Sequence, residues 1–113
     1  MDLLSKKCIP CEGSVVPLSK EQIAEYIKQI SEWQLIEDKN IFRIKKRFKF
    51  ANFKDALAFV NKVAALAEKE GHHPEMHISW GKVRLSFQTT AIRGLSENDF
   101  IMAAKIDNLN LSK

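Results

Sequence analysis

The chain has 113 residues, a formal net charge of +4 and 45% hydrophobic residues, which is typical of one globular domain. No apolar run approaches the ~18 residues that a membrane-spanning helix requires, and the N-terminal residues lack the apolar stretch of a signal peptide. The excess of Lys and Arg is mild and is more typical of a soluble protein than of one with a polyanionic partner. We therefore expect a cytoplasmic protein whose partners include neither a membrane nor a nucleic acid.

The N-terminal segment carries both cysteines of the chain. Residues 1–17 show little periodicity and predict an arm, whereas residues 18–113 predict a single domain. Cys8 and Cys11 are too few for a four-thiolate zinc site within one chain, and CIPC lies outside any visible strand–helix unit, where a thioredoxin-like motif would lie. We expect free thiols on a loose arm; a metal site shared between chains or a redox role is the alternative.

A helix and two strands are predicted next. Ser19 suits the N-cap position of a helix on which Ile23, Ile27 and Ile30 share one face. The segment WQLIEDKNIFRI then predicts two strands joined through a polar turn at residues 38–40.

The second strand alternates between apolar and basic residues, which predicts a half-buried strand with one wet face. The apolar positions are Phe42, Ile44, Phe48 and Phe50, and the basic ones are Arg43, Lys45, Arg47 and Lys49. Lys46 interrupts the apolar series, so a bulge or fraying in the middle of the strand is one expectation at this position.

The clearest helix follows the second strand. Asn52 can cap it, Asp55 lies in its first turn, and Gly71 suits the left-handed position just past its end. A predicted apolar stripe consists of Phe53, Leu57, Val60, Val63, Ala64 and Ala67.

A hairpin is predicted around Trp80. If Gly81 and Lys82 form a two-residue turn, three cross-strand pairs result and share the core face: Trp80 with Val83, Ile78 with Leu85, and Met76 with Phe87. The opposite face then carries His77, Ser79, Arg84, Ser86 and Gln88.

The last helix completes an α+β fold. Ser96 followed by Asp99 resembles a capping box, although Asp is a weaker partner than Glu at that position. The predicted order is α-β-β-α-β-β-α, with helices packed on one face of a four-stranded antiparallel sheet. Because so small a sheet leaves edges uncovered, we expect a homodimer or homotetramer.

The candidate site is His72-His73-Pro74, between a helix end and a strand. Histidine can give and take protons near neutral pH, and Pro74 biases His73 towards an extended backbone. Adjacent side chains of an extended segment point in different directions, so the two imidazoles can address two points of one ligand. From these three residues alone, a solvated polar loop remains the simpler interpretation.

The wider pattern resembles the pterin-4a-carbinolamine dehydratase family. The chain has E-x-x-x-HHP from Glu68 to Pro74, then Trp80, then TTAIRGLSENDF and IMAAKID, preceded by the WQLIEDKNIFRI strand region and the NFKDALAFVNKVAALAEKEG helix. The resemblance covers roughly residues 33–107, about two thirds of the chain.

The resemblance implies a reaction: removal of water from a 4a-hydroxytetrahydropterin to give quinonoid dihydropterin, which recycles the cofactor of aromatic amino acid hydroxylases. The pterin is then the substrate, with no metal and no further cofactor, and phenylalanine hydroxylase is a functional partner. His72 and His73 are implied to be the catalytic acid–base pair. The implied substrate-binding positions are Glu68, Gly71, Pro74, Trp80, Thr89, Thr90 and Asp99. By spacing alone, Asp99 is explained equally well as a capping residue.

One position departs from the family pattern. The family usually carries a third histidine eighteen residues after the first of the pair, where this chain has Thr90. A threonine hydroxyl can orient a ligand but does not titrate near neutral pH. We therefore expect a dehydratase with reduced activity.

Two other functions compete with the enzyme. A catalytically weakened family member can act as a protein-binding module, because some relatives bind a transcription factor and stabilise its dimer. The basic strand face could instead track the phosphates of a nucleic acid. However, the aromatic residues of that strand lie on the opposite parity, where a core rather than a stacking platform needs them.

Overall fold

The computed structural model describes residues 3, 6, 8, 16–30, 32–39, 41–89 and 92–111, so Cys11 and Thr90 lie outside the described residues. The elements confirm the predicted α+β order and are α1 Lys20–Ile27, β1 Gln34–Asp38, β2 Ile41–Lys49, α2 Phe53–Glu70, β3 Glu75–Ser79, β4 Lys82–Phe87 and α3 Glu97–Leu111. Within these ranges, no helix is both long enough and apolar enough to cross a bilayer.

The four strands form one antiparallel sheet in the order β1-β2-β4-β3, so β1 and β3 are its edges. One face packs against the helices. Its fully buried side chains are Ile44, Val83, Leu85 and Phe87, which meet Ala56, Phe59, Val63 and Ala67 of α2 and Phe100, Ile101 and Ile106 of α3 in the core. The opposite, open face carries the basic residues of β2, as the alternation predicts.

The predicted helix caps are confirmed. Ser19 and Gln22 form a reciprocal capping box at α1, and the Asn52 side chain accepts the Asp55 N–H at α2. Gly71 ends α2 with φ of 70°, a left-handed conformation that costs a glycine little. These local signals set where the first two helices begin and where the chain turns towards the candidate site.

Lys46 causes neither a bulge nor fraying, so that option is wrong. The β2–β4 register runs without interruption through the pair Lys46–Leu85. The Lys46 Nζ lies 2.8 Å from an Asp107 carboxylate oxygen, and the two side chains are only 10% and 15% exposed. Trp33 Nε1 donates to the same carboxylate. A partner on α3 therefore lets a lysine occupy a core-facing position of a regular strand.

The predicted apolar stripe of α2 is partly wrong. The buried residues of this helix are Ala56, Phe59, Val63 and Ala67, whereas Phe53 and Leu57 are 44% and 42% exposed. Apolar residues occupy two adjoining faces of α2, and helical spacing alone does not tell which of them meets the sheet.

The predicted β3–β4 register is also wrong. Ile78 pairs with Val83 and Met76 with Leu85, so the turn consists of Trp80 and Gly81 rather than Gly81 and Lys82. Trp80 consequently lies in the turn and is 68% exposed instead of facing the core. The shift moves each pairing by two positions, so the parity of the remaining residues, and hence their face, stays as predicted.

Leu3, Lys6 and Cys8 of the N-terminal segment contact the domain, so the expectation of a loose arm is wrong for these three residues. Leu3 is 4% exposed within the core cluster, and the Lys6 Nζ lies 2.7 Å from Glu97. The Cys8 N–H donates to Glu70 Oε1 over 2.9 Å, and Cys8 is a free thiol. The division into an arm and a domain at residue 17 stays a prediction.

The lowered pKa of Glu70 makes the free energy of unfolding depend on pH in the acid range. The Cys8 N–H, and then the Lys105 ammonium at 3.0 Å, lower the pKa of Glu70 below its usual 4.5, against the opposing effect of burial. A carboxyl group with a lowered pKa stabilises the folded chain above its unfolded-state pKa, and this contribution is lost as the pH falls through the folded-state pKa. We expect Glu70→Gln to cost on the order of 1 kcal/mol at neutral pH and to flatten the loss of stability below about 4.5.

Urea unfolding followed by circular dichroism across this pH range measures the effect. Glu25→Gln is the matched control, because the Glu25–Lys28 pair spans 3.6 Å on the surface. The control should give a curve parallel to that of the wild type. A parallel curve for Glu70→Gln as well would contradict the assignment.

Candidate active site

The two histidines follow the reversal of the chain at the end of α2. The N–H groups of Gly71 and His72 both donate to the Ala67 carbonyl oxygen, over 2.8 and 3.3 Å. After this turn, His73 and Pro74 lead directly into β3. The predicted divergence of the imidazoles is confirmed, since the Nε2 atom of His72 meets a residue of α3 and that of His73 meets a residue of α2.

His72 lies against a buried carboxylate. Its Nε2 atom is 2.7 Å from Asp99 Oδ1, and the side chains of His72 and Asp99 are 12% and 0% exposed. The imidazole also stacks on the Phe87 ring, with centroids 5.8 Å apart and an angle of 7° between the planes. The ring of His72 is therefore fixed from its edge by a carboxylate and from its face by an aromatic ring.

The second oxygen of Asp99 is also fully engaged. Asp99 Oδ2 accepts the Thr89 hydroxyl over 2.8 Å and the Ser96 N–H over 2.9 Å. Because Thr89 gives its only hydroxyl proton to Asp99, the Ser96 hydroxyl must donate to Thr89 Oγ1 across the 2.8 Å that separate them. Asp99 thus accepts the Ser96 N–H, as the acid of a capping box does, and it is also the partner of His72; the two explanations of its spacing are compatible.

This geometry determines how His72 can carry protons. In the neutral imidazole, Nε2–H donates to the Asp99 carboxylate, which leaves Nδ1 as the atom that can accept a proton. The carboxylate at this contact also fixes the tautomer and the orientation of the imidazole, as in other Asp–His pairs. The His72 imidazole is therefore held in an orientation in which Nδ1 can accept a proton without a rearrangement of the ring.

His73 lies in a wetter environment. Its Nε2 atom is 3.2 Å from Glu68 Oε2, with the side chains 59% and 80% exposed. His73 also lines a surface concavity of about 280 Å³ together with Arg43, Pro74, Glu75, Ser86 and Gln88. Its imidazole can therefore exchange protons with solvent and with a small molecule bound in the concavity.

A larger concavity of about 400 Å³ is less suited to acid–base chemistry. Basic side chains dominate its lining, which consists of Glu32, Gln34, Lys45, Lys46, Arg47 and Arg84. No histidine is among these lining residues. The His73 concavity is smaller, but it combines a histidine with hydrogen-bonding side chains, as ligand sites do.

The structure brings most of the predicted site residues together. Glu68, Gly71, His72, His73 and Pro74 are consecutive or one helical turn apart, and Thr89 and Asp99 join them through hydrogen bonds. Thr89 is 4% exposed, and its hydroxyl proton is committed to Asp99, so within this chain it positions the carboxylate.

Trp80 lies away from this group. The five residues of β3 lie between Pro74 and Trp80, and the six residue steps correspond to roughly 20 Å along an extended chain. Thr90 lies outside the described residues.

Sequence reasoning missed Arg43, Ser86 and Gln88 as neighbours of His73, and Phe87 as the ring beneath His72. The sequence shows on which face of its strand each of these residues lies. It does not show the β2–β4 register, which places them next to the histidines. Within the described ranges, no group of three or more His, Cys, Asp or Glu residues is arranged to hold a metal ion.

The fold and site define a small α+β protein with two neighbouring histidines where a helix end meets the edge of an antiparallel sheet. The chain belongs to the pterin-4a-carbinolamine dehydratase family: the family model described as "Pterin 4 alpha carbinolamine dehydratase" matches residues 16–109. Relatives provisionally named as such dehydratases occur in Alkaliphilus metalliredigens, at 51% identity over 94% of each chain, and in Halorhodospira halophila, at 47% identity over 96% of this chain and 98% of the relative.

Two solved structures resemble the fold. A transcriptional coactivator/pterin dehydratase from Brucella melitensis superposes with a TM-score of 0.75 and 29% identity, over 82% of this chain and 97% of that one. A pterin dehydratase-like protein identified as a RuBisCO assembly factor in the alpha-carboxysome superposes with a TM-score of 0.61 and 26% identity, over 70% and 89% of the two chains. Related folds therefore carry more than one described role.

Proposed function

We propose that the protein dehydrates 4a-hydroxytetrahydropterin to quinonoid dihydropterin by histidine acid–base catalysis. The observation that carries this proposal is the placement of His72, fixed by buried Asp99, directly beside His73, which lines a concavity of about 280 Å³. Such a space accommodates a flat bicyclic ring, since ligand pockets of a few hundred Å³ hold small organic molecules.

The two histidines suit different proton transfers. His72 does not itself line the concavity, so it takes the proton from a ring nitrogen through a bound water, with Nδ1 as the acceptor when Nε2–H is bound to Asp99. His73 gives a proton to the 4a-hydroxyl, which leaves as water. One proton is taken and one is given, so the reaction is a net loss of water and needs no metal or redox cofactor. Each positioned group contributes about 10²–10⁴-fold.

Stopped-flow absorbance tests this function directly. Freshly generated 4a-hydroxytetrahydropterin is mixed with the protein or with buffer, and the decay to quinonoid dihydropterin is followed. We expect the protein to accelerate the decay with saturation at high substrate. A decay rate that equals the buffer rate at every protein concentration would count against the enzyme.

The biological setting of this activity is also part of the proposal. A dehydratase of this kind acts in the cytoplasm after an aromatic amino acid hydroxylase, with phenylalanine hydroxylase as the functional partner that the family implies. The link consists of a shared substrate and does not require the two proteins to touch.

Self-association is supported by the exposed apolar surface. The edge strand β3 leaves Met76 and Ile78 37% and 38% exposed, and Trp80 follows it in the turn. On α2, Phe53 and Leu57 are also exposed. An open sheet edge beside apolar side chains favours pairing with another chain. We propose a homodimer or homotetramer, which light scattering distinguishes from a monomer.

A protein-binding role is the second candidate. The same apolar surface favours it, and the solved relatives are described as a transcriptional coactivator/pterin dehydratase and as a RuBisCO assembly factor. A binding module would not accelerate dehydration, and its biological role would survive His72→Ala. The dehydratase role would be lost with that substitution.

Thr90 gives a further test of the reaction. The family usually carries a histidine at this position, so we expect Thr90→His to raise kcat by adding a third group that titrates near neutral pH. Stopped-flow rates for Thr90→His and for the size-matched control Thr90→Gln separate the effect of titration from that of bulk. A histidine variant that is no faster than the wild type would contradict this account of position 90.

A further inference from the structure

The arginines on the open sheet face lack the carboxylate partners that three lysines of the chain have. Lys6, Lys46 and Lys105 each have a carboxylate within 3.0 Å. In contrast, Arg43, Arg47 and Arg84 form no ion pair with any described residue, although Arg47 and Arg84 are direct cross-strand neighbours. Like charges placed opposite each other on a sheet are destabilising, so the open face carries positive charge that the described part of the chain does not neutralise.

Arg43 differs from the other two arginines in burial. Its Nε atom is buried and has no hydrogen-bond partner among the described residues. An unpaired buried donor is costly, and such a donor at a functional site indicates an acceptor that a ligand supplies.

The position of Arg43 places it at the candidate active site. The pair Ile44–Phe87 is the last of the β2–β4 register, so Arg43 lies one step further, across from Gln88. Both residues line the concavity of His73. Arg47, four residues along the same face of β2, lines other concavities and not this one.

We propose that Arg43 positions the substrate by donating a hydrogen bond to the C4 carbonyl of the pterin ring. This inference rests on the proposed dehydratase function. The ring atom C4a, which loses the hydroxyl, is bonded to C4, which carries the carbonyl oxygen. With His73 at the 4a-hydroxyl, the carbonyl is the nearest strong acceptor for a donor that lines the same concavity. Rotation of the Arg43 side chain would turn its unpaired Nε–H towards this oxygen.

Arg43 is therefore a positioning residue rather than a catalytic one. The carbonyl is present both before and after the loss of water, so the contact stabilises the bound substrate and the transition state alike. Removing such a contact raises KM and leaves kcat nearly unchanged. The matched control is Arg47→Met, which removes the same charge from the same strand face outside the concavity.

The test compares the affinities of two ligands for three proteins: the wild type, Arg43→Met and Arg47→Met. Isothermal titration calorimetry compares 7,8-dihydrobiopterin with the analogue that has an amino group in place of the C4 carbonyl. We expect the wild type and Arg47→Met to prefer the carbonyl ligand by about tenfold or more, because the amino group presents a donor to the guanidinium. Arg43→Met should lose this preference. In stopped-flow assays, Arg43→Met should raise KM by about tenfold with kcat retained.

The outcomes separate this inference from the function on which it rests. If Arg43→Met prefers the carbonyl ligand as strongly as the wild type does, the proposed contact is overturned. A loss of affinity that is the same for both ligands also overturns it. In either case the dehydratase function stands if the protein still accelerates the reaction. A wild type that binds neither ligand and gives no acceleration overturns both. Circular dichroism checks that Arg43→Met is folded, and Arg43→Lys, which keeps the charge without the Nε–H, should recover only part of the preference.

Discussion

Replacing His73 with Ala lowers kcat for dehydration by about 10²–10⁴-fold, because it removes a positioned proton donor. The fold should survive, since the His73 side chain is 59% exposed and its contact with Glu68 is a surface pair. Stopped-flow kinetics at saturating substrate measures the rate, and thermal unfolding checks the fold. The loss of rate should be accompanied by little change in the midpoint of unfolding.

His77→Ala is a closely matched control for this experiment. His77 lies 3.2 Å from Glu75, with side chains 54% and 68% exposed, so both histidines are surface residues paired with a glutamate at the same distance. They differ in that His73 lines the concavity of about 280 Å³ and His77 does not. If the two substitutions reduced kcat equally, the decrease would reflect a general loss of surface histidine, and the role of His73 would be wrong.

Replacing Asp99 with Ala is expected to lower both stability and activity. The substitution leaves the His72 ring, the Thr89 hydroxyl and the Ser96 N–H without their acceptor in a site where Asp99 is 0% exposed. Unpaired buried donors cost about 1–3 kcal/mol each, and relaxation recovers part of this cost. We therefore expect a loss of about 2–5 kcal/mol in the free energy of unfolding.

The activity of folded Asp99→Ala should also fall, because His72 loses the carboxylate that fixes its tautomer. Asp107→Ala is the control: Asp107 is another acid of α3 and pairs with Lys46 at 2.8 Å, away from the histidines. It should lose stability while its kcat per folded molecule stays close to that of the wild type. Urea unfolding and stopped-flow rates give the two quantities, and an Asp99→Ala protein with unchanged kcat would exclude Asp99 from the mechanism.

The helix caps and the His72-His73 motif were accessible from the sequence because they depend on residues close together in the chain. Ser19, Asn52 and Gly71 satisfy backbone groups or adopt a backbone angle within a few residues of themselves. The alternation along β2 likewise separates a buried face from a wet face without knowledge of any partner. These features predicted the order of elements and located the histidines between a helix and a strand.

Other features needed the tertiary structure. A turn at Gly81-Lys82 predicts Trp80 on the core face, whereas a turn displaced by one residue changes every pairing of the hairpin without changing parity. On α2, Phe53 and Leu57 fit helical spacing as well as Ala56 and Phe59 do. Only the position of the sheet decides which of these faces is buried.

The sequence alone determined the α+β class, the half-wet sheet and the pair of neighbouring histidines, since each follows from local periodicity and from short-range hydrogen bonding. The tertiary structure decided that Asp99, 27 positions from His72 in the chain, lies 2.7 Å from its Nε2 atom, and that Arg43 lines the same concavity as His73. Such contacts depend on strand register and on the docking of α3 against the sheet. Both are set by packing of the whole core rather than by any short segment.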